Sequence, residues 1–156
     1  MGFKKRLKKK LNWLKGQLLI RNLNFTIISS NCIGSGVYQD LSLKYNTPTA
    51  GLFFYAPCYI KFIHNCNQNL SFKKDSRYVT GPVSYPIGML DDIEVHFLHY
   101  ADENEATEKW NRRVKRINYS NLFYIFTDRD QCTYKELSEF DSFDSQAKLC
   151  FSSKNY

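Results

Sequence analysis

A cysteine and two serines lie where an apolar segment ends near the start of the chain. Residues 24–30, NFTIISS, are apolar and β-branched at their centre and predict a strand. The next residues, NCIGSG, form a loop that leads into a predicted helix. A nucleophile in such a loop can attack an acyl group while nearby backbone N–H groups stabilise the oxyanion. Ser29, Ser30 and Cys32 are therefore candidate nucleophiles for acyl transfer or hydrolysis.

The same loop predicts an anion site made by its backbone. A strand, a glycine-containing loop and a helix in succession expose N–H groups that can hold a phosphate. Asn31, Gly34 and Gly36 are the candidate cofactor contacts, and the sequence leaves the cofactor unknown. The motif lacks the full dinucleotide fingerprint and the phosphate-loop lysine, so a plain tight turn is the alternative interpretation.

Two histidines and an aspartate flank a second apolar segment. Asp92 precedes residues 93–100, IEVHFLHY, which predict a strand containing His96 and His99. The carboxyl ends of parallel strands share one edge of a sheet, so either histidine could serve the loop nucleophile as general base, with Asp92 orienting it. The alternative is a packed, hydrogen-bonded histidine without a catalytic role. The hydrolase motif GxSxG is absent.

A third candidate site follows the apolar segment LFYIF. Asp128 and Asp130 form a DxD arrangement there. Two carboxylates at that spacing can hold a divalent cation that neutralises the diphosphate of a nucleotide sugar. This predicts a metal site and glycosyl transfer. The alternative is an aspartate that caps a turn or a helix.

The elements that must position these residues alternate along the chain. Predicted strands are followed by predicted helices through short connections, which favours a three-layer α/β domain with a largely parallel sheet of about five strands and flanking helices. Asp102 predicts a helix N-cap, with Trp110 on the buried face of that helix. The predicted strands are 24–30, 47–55, 93–100, 120–126 and 147–152, and the predicted helices are 37–45, 57–70, 103–116 and 133–140.

The chain divides into a basic N-terminal segment and a nearly neutral domain. Residues 1–22 contain eight basic residues and no acidic one, and a leucine stripe at helical spacing predicts a basic amphipathic helix. Residues 23–156 form the α/β domain. The helix is predicted either to contact an anionic membrane surface or to dock on its own domain. Nucleic acid is not an expected partner, because the domain lacks a basic patch interleaved with aromatic residues.

Cysteine usage and hydropathy predict the compartment. The five cysteines are odd in number and contain no CxxC pair, which favours free thiols over disulfides or structural zinc. Neither a membrane-spanning apolar run nor a signal-peptide h-region is present. The sequence predicts a cytoplasmic protein, peripheral on the inner face of the membrane.

Six motifs between residues 24 and 130 carry a resemblance. These are ISSNCIGSGVY, TPTAGLFFY, YIKF, YPIGMLDDIEVHFLHY, EATEKWNRRVKRIN and LFYIFTDRD. Together they resemble a bacterial family of proteins labelled as exopolysaccharide or capsule biosynthesis proteins. The resemblance implies a three-layer α/β fold, a sugar or polysaccharide precursor as partner, and family members that continue beyond Tyr156. It supplies positions but no catalytic roles; the positions are Ser29, Asn31, Cys32, Asp92, His96, His99, Tyr100, Trp110, Arg113 and Asn118.

Three functional hypotheses follow. A transferase of surface-polysaccharide biosynthesis is preferred, with acyl transfer slightly ahead. The alternatives are a metal-dependent glycosyltransferase-like protein using Asp128 and Asp130, or a non-catalytic accessory protein at the membrane surface.

Overall fold

Two small sheets form the framework of the computed structural model, which describes residues 22–64, 69–145 and 147–153. The first sheet is parallel, with the order β1-β5-β6, and the second is antiparallel, with the order β2-β3-β4. The strands are β1 Thr26–Ser29, β2 Leu70–Lys73, β3 Ile87–Leu90, β4 Ile93–His96, β5 Leu122–Thr127 and β6 Lys148–Phe151. The helices are α1 Ile33–Asp40, α2 Ala56–His64, α3 Glu103–Val114 and α4 Tyr134–Ser142.

Core residues pack on both faces of the parallel sheet at β1. Side chains alternate along a strand, so successive residues of β1 point into different cores. Phe25 and Ile27 pack with Tyr38 of α1 in a small core. Ile28 and Phe126 face the main core, where the Phe126 ring stacks on Tyr59 of α2 at 5.3 Å between centroids. The layered α/β arrangement is thus confirmed around this sheet.

The prediction of one five-stranded, largely parallel sheet is wrong. The predicted strand 47–55 is a turn over residues 48–51 followed by a single antiparallel bridge between Phe53 and His96. Gly51 has a positive φ of 81°, which reverses the chain where a strand would have continued. Phe53 exchanges two backbone hydrogen bonds with His96, and Phe54 N–H donates to the Ser30 carbonyl, so this segment joins the two sheets.

The predicted third strand belongs to the antiparallel sheet. β4 ends at His96, four residues earlier than predicted, and pairs with β3. All four of its residues are buried. β2 and β3 were not predicted as strands.

Local signals identified the helices more reliably. α3 begins after Asp102, whose carboxylate accepts a hydrogen bond from the Glu105 N–H at 2.8 Å, and it buries Trp110. α4 begins after Thr133 with a capping box to Glu136. These caps satisfy N–H groups that have no partner inside the helix.

The described helices include none that is long and apolar enough to cross a membrane. The predicted amphipathic helix over residues 1–22 lies outside the described residues except for Asn22.

Candidate functional site

Asn31 connects the ends of β1 and β5 by a side-chain hydrogen bond. These strands run parallel, so their carboxyl ends lie side by side. The Asn31 Nδ2 atom donates to Thr127 Oγ1 at 3.0 Å, and its Oδ1 accepts from the Ile33 N–H at 3.1 Å. The amide therefore ties the two strand ends together and fixes the start of α1.

Cys32 is the N-cap residue of α1 and is half-buried. Its Sγ lies 3.7 Å from the Leu52 carbonyl oxygen, to which the thiol donates. Burial raises the pKa of the Cys32 thiol above its ordinary value. The resting group is therefore the thiol, and a nucleophilic role requires a base to remove its proton.

His99 reaches the same region from a turn after β4. Its backbone N–H donates to the Gly51 carbonyl at 3.1 Å. The next carbonyl along the chain, that of Leu52, accepts from the Cys32 thiol. The His99 side chain is exposed. The main chain at residues 51–52 thus contacts the Cys32 thiol and the His99 backbone, which brings the two residues to one region.

Cys32 and His99 together line two adjoining cavities. The first, called the Arg113 cavity, has a volume of about 460 Å³ and is also lined by Gly36, Tyr45, Tyr100, Lys109 and Arg113. The second, called the Asp130 cavity, has a volume of about 400 Å³ and is also lined by Asn31, Phe53, Arg129 and Asp130. Both have a mixed polar and apolar lining and are large enough for a small substrate. The sequence predicted Cys32 and His99 at one edge of a parallel sheet. The structure brings both to one cleft, but the strand before His99 belongs to the antiparallel sheet, so they do not share a sheet edge.

Ser29 and Ser30 do not line either cavity. Both are buried, and Ser29 Oγ accepts from the Asn31 N–H at 3.5 Å. Ser30 Oγ is buried without a hydrogen-bond partner among the described residues. Of the three candidate nucleophiles, only Cys32 faces open space.

The two candidate glycines lie in the first turn of α1 and not in the predicted loop, because the helix begins at Ile33, and they differ in their surroundings. A Cβ atom on Gly34 would lie 2.9 Å from Ile27 Cγ2 and 2.9 Å from Ser29 Cβ, which is too close for a real contact. Gly36 has nothing within 4 Å of that position, and it lines the Arg113 cavity. Gly34 therefore allows α1 to approach β1 closely, whereas Gly36 leaves the cavity open.

Gly34→Ala is expected to lower the free energy of unfolding by about 1–3 kcal/mol, because the added methyl group overpacks the contact between α1 and β1. Gly36→Ala, in the same helix, is the matched control and is expected to leave stability unchanged or raise it slightly. Urea unfolding followed by circular dichroism measures both. Equal stability of the two variants would contradict the packing role of Gly34.

His96 is buried in an aromatic setting rather than in the cleft. Its ring stacks on Phe53 at 4.7 Å between centroids and meets the edges of Tyr55 and Tyr85. Its Nε2 lies 3.2 Å from Glu94 Oε2, without hydrogen-bond geometry. Burial lowers the pKa of His96, and the neighbouring Glu94 carboxylate offsets only part of that effect. His96 is therefore a neutral core residue in the native state.

Asp92 lies at the opposite end of β4 from the two histidines. It is exposed and forms an ion pair with Lys61. His96 lies four positions further along the chain, which corresponds to about 13 Å in an extended strand. The Lys61 hydrogen bond and charge lower the pKa of the Asp92 carboxyl. The structure does not bring Asp92 to His99, so the predicted orienting contact is not formed.

The two aspartates of the DxD motif have different surroundings. The buried Asp128 carboxylate accepts from the Ser153 N–H at 2.6 Å and from Ser152 Oγ at 2.9 Å. Asp130 lines the Asp130 cavity, where burial raises its pKa against the lowering effect of Arg129. In the described part of the chain, no three His, Cys, Asp or Glu side chains are grouped for a metal ion. The metal assignment stays a prediction.

Several cavity residues were not assigned a role from the sequence. Arg113 is buried, although it belongs to a helix whose charged residues resemble a solvated surface. Its Nη1 donates to the Ala50 carbonyl at 2.8 Å and to the Tyr100 hydroxyl. The i,i+4 spacing of Lys109 and Arg113, which puts both on one helix face, was the available signal. The other unassigned residues are Gln39, Tyr45, Tyr100 and Arg129.

The fold and the cleft define a mixed α/β protein with a thiol and an imidazole at the end of a parallel sheet. The model of the family described as a domain of unknown function, DUF1919, matches residues 3–156, and the chain belongs to this family. A protein of Haemophilus influenzae (strain ATCC 51907 / DSM 11121 / KW20 / Rd), described as uncharacterized, is 36% identical over 140 residues. The match covers 90% of this chain and 67% of the relative.

Proposed function

We propose that the protein is a cysteine-dependent acyltransferase in which Cys32 is the nucleophile and His99 is the general base. One observation carries the proposal: both side chains line the same two cavities where β1 and β5 end. A cysteine at a helix N-terminus and a histidine that shares its cleft are the parts that thiol catalysis requires.

The proposed reaction has two balanced steps. His99 takes the Cys32 proton as Sγ attacks the carbonyl carbon of the acyl donor, and the departing thiol or alcohol takes that proton from His99. A hydroxyl of the acceptor then gives its proton to His99 and attacks the thioester, and Cys32 leaves and is reprotonated. With water as acceptor, the same residues perform hydrolysis.

The start of α1 supplies stabilisation for the oxyanion. The first backbone N–H groups of a helix have no partner inside the helix, and they carry the positive end of its dipole. Cys32 is the N-cap of α1, so negative charge that forms on the carbonyl oxygen next to Sγ lies close to these groups, of which the Ile33 N–H already donates to Asn31 Oδ1.

The acceptor is proposed to be a sugar hydroxyl of a polysaccharide precursor. This part rests on the resemblance of six motifs to exopolysaccharide or capsule biosynthesis proteins. The polar side chains and the tyrosines of the Arg113 cavity suit a hydroxylated substrate. Glycosyl transfer through Asp128 and Asp130 has less support, because Asp128 is committed to Ser152 and Ser153.

A panel of acyl-CoA thioesters of increasing chain length tests the reaction, with the released thiol measured in the presence and absence of sugar acceptors. At least one thioester is expected to be turned over. His99→Gln is expected to lower the rate by about 10²–10⁴-fold, as loss of a general base does. His64→Gln, which changes the exposed histidine at the end of α2, is the control. Equal rates for the two variants would contradict the role of His99.

The proposed location is the inner membrane face, reached through residues 1–22. The full chain is expected to sediment with vesicles that contain anionic phosphatidylglycerol and not with neutral vesicles, because each basic residue near the surface contributes about 1 kcal/mol. A chain lacking residues 1–21 is expected to lose this binding. Equal sedimentation of both chains would refute the proposed membrane contact.

A further inference from the structure

We propose that the Arg113 cavity binds a phosphate group carried by the acyl donor or by the acceptor. Arg113 is only 8% exposed, and no carboxylate lies within ion-pair distance of it among the described residues. A buried charge is costly unless it is paired. A ligand anion would supply the missing partner.

The contacts of Arg113 hold its guanidinium in place without neutralising it. Both hydrogen bonds use Nη1, which donates to the Ala50 carbonyl and the Tyr100 hydroxyl. The guanidinium carbon lies 4.9 Å from the Tyr45 ring centroid and 5.9 Å from that of Tyr100. A guanidinium has five N–H donors in a fixed plane, so donors beyond those on Nη1 stay available for an oxyanion.

Glu94 is a second buried charged residue, and its surroundings differ from those of Arg113. Its carboxylate is fully buried, and it accepts from Lys73 and from Ser76 Oγ, with Arg77 Nε 3.3 Å away. That charge is paired and hydrogen-bonded within the chain. Arg113, by contrast, lines a cavity of about 460 Å³ and has no carboxylate within ion-pair distance among the described residues.

The charges around the cavity fit phosphate better than carboxylate. Lys109 lines the same cavity one helical turn before Arg113 and forms its ion pair with Glu105. A phosphate monoester carries close to two negative charges at neutral pH and three acceptor oxygens, so it interacts with Arg113 and Lys109 more strongly than a carboxylate does, although Glu105 offsets part of their positive charge. Ser35, Gly36 and Gln39 add polar groups to the lining.

The phosphate site lies beside the proposed catalytic residues. Cys32 and His99 line the Arg113 cavity as well, so an anchored phosphate would hold the rest of the substrate against the thiol. The inference rests on the proposed acyl transfer for the identity of the ligand, which becomes a phosphate-bearing donor or acceptor. The binding of the phosphate itself does not depend on turnover.

Isothermal titration with inorganic phosphate tests the site directly, with acetate as the carboxylate probe at the same ionic strength and pH. Phosphate is expected to bind, and acetate to bind at least about tenfold more weakly. Arg113→Lys is expected to weaken phosphate binding about tenfold, because the planar donor fork is lost. Arg112→Lys, on the exposed side of the same helix, is the matched control and is expected to change affinity less than about twofold.

If circular dichroism shows that Arg113→Lys does not fold, a second pair of variants tests whether the Arg113 cavity binds phosphate. Lys109→Gln is expected to weaken phosphate binding about threefold or more, and Lys135→Gln, from the exposed ion pair with Glu139 on α4, to leave it unchanged. The inference is overturned if phosphate does not bind, if acetate binds as well, or if neither cavity variant differs from its control.

Acyl transfer and the phosphate site can fail separately. Cys32→Ser is expected to keep phosphate binding and to lose turnover. Phosphate binding in a chain that turns over no acyl donor would refute the acyltransferase alone. Turnover that persists without phosphate binding would refute the phosphate site alone.

Discussion

Cys32→Ser is expected to lower acyl turnover by about 10³-fold or more without unfolding the protein. A serine hydroxyl ionises far less readily than a thiol, and the nucleophile acts as a unit with its base, so its removal costs nearly the whole catalytic effect. The substitution is nearly isosteric and falls on a half-buried residue, so the packing of α1 is retained. Steady-state kinetics with the best thioester of the panel measures the effect.

Cys150→Ser provides the matched control. Cys150 is a second half-buried thiol, on β6, and burial raises its pKa as it does for Cys32. It does not line either cavity of the cleft. A comparable loss in both variants, or more than a tenth of wild-type activity in Cys32→Ser, would contradict the role of Cys32.

Glu94→Gln is expected to lower the free energy of unfolding by about 1–3 kcal/mol, because a neutral amide replaces a fully buried carboxylate that accepts charge-assisted hydrogen bonds and pairs with the partly exposed Lys73. The carboxylate accepts from the Arg77 N–H at 2.9 Å and from Ser76 Oγ at 2.8 Å, and it pairs with Lys73. Glutamine keeps the size but leaves Lys73 without its counter-ion. Urea unfolding at pH 7.5 measures the loss.

Glu139→Gln is the control for this change. Glu139 forms an exposed pair with Lys135, and such pairs contribute about 0–1 kcal/mol. A loss below about 1 kcal/mol for Glu94→Gln, or equal losses for the two variants, would show that the Glu94 network does not hold β4 in place.

The pH dependence of stability gives the same network a second test. Burial alone raises the pKa of Glu94, but the hydrogen bonds from Lys73, Arg77 and Ser76 and the Lys73 charge bring it below its ordinary value of 4.5. A carboxyl with a lowered folded pKa stabilises the native state above its unfolded pKa. This stability is lost as the pH falls through the folded pKa. Stability should therefore fall below about pH 4.5, and less steeply in Glu94→Gln.

His96 is expected to lower the stability of the native state at a higher pH than Glu94 does. Its pKa is lowered by burial from an ordinary value of 6.5, so the unfolded chain takes up a proton before the native state does. The native state loses stability as the pH falls below about 6.5, and this phase should persist in Glu94→Gln.

The sequence was informative wherever local chemistry determines an element. The apolar runs of β1, β5 and β6 and the caps of α3 and α4 are short-range signals, and the structure confirms the elements they predict. The apolar segment TPTAGLFFY was misassigned, because apolar residues also fill a buried turn and Gly51 reverses its direction. β2 and β3 have four residues each and form only through pairing with distant segments.

The cleft was predictable in outline for a similar reason. Polar side chains that follow predicted strands identified Cys32 and His99 as candidates. His99 lies in a turn after β4, which is a strand of the antiparallel sheet. The sequence could not separate His99 from His96, because burial depends on tertiary contacts such as the stacking of Phe53. Arg113 was named only as a motif position without a role, because a buried arginine and a solvated one look alike in a charged helix.

Mass spectrometry of the wild-type chain quenched during turnover tests the central claim most directly. The proposal predicts that the protein gains the mass of one acyl group, on the peptide that contains Cys32, and that hydroxylamine removes it. Cys32→Ser should show no such adduct. Turnover without an adduct on Cys32, or an acyl group on a different residue such as Ser29, would contradict the account.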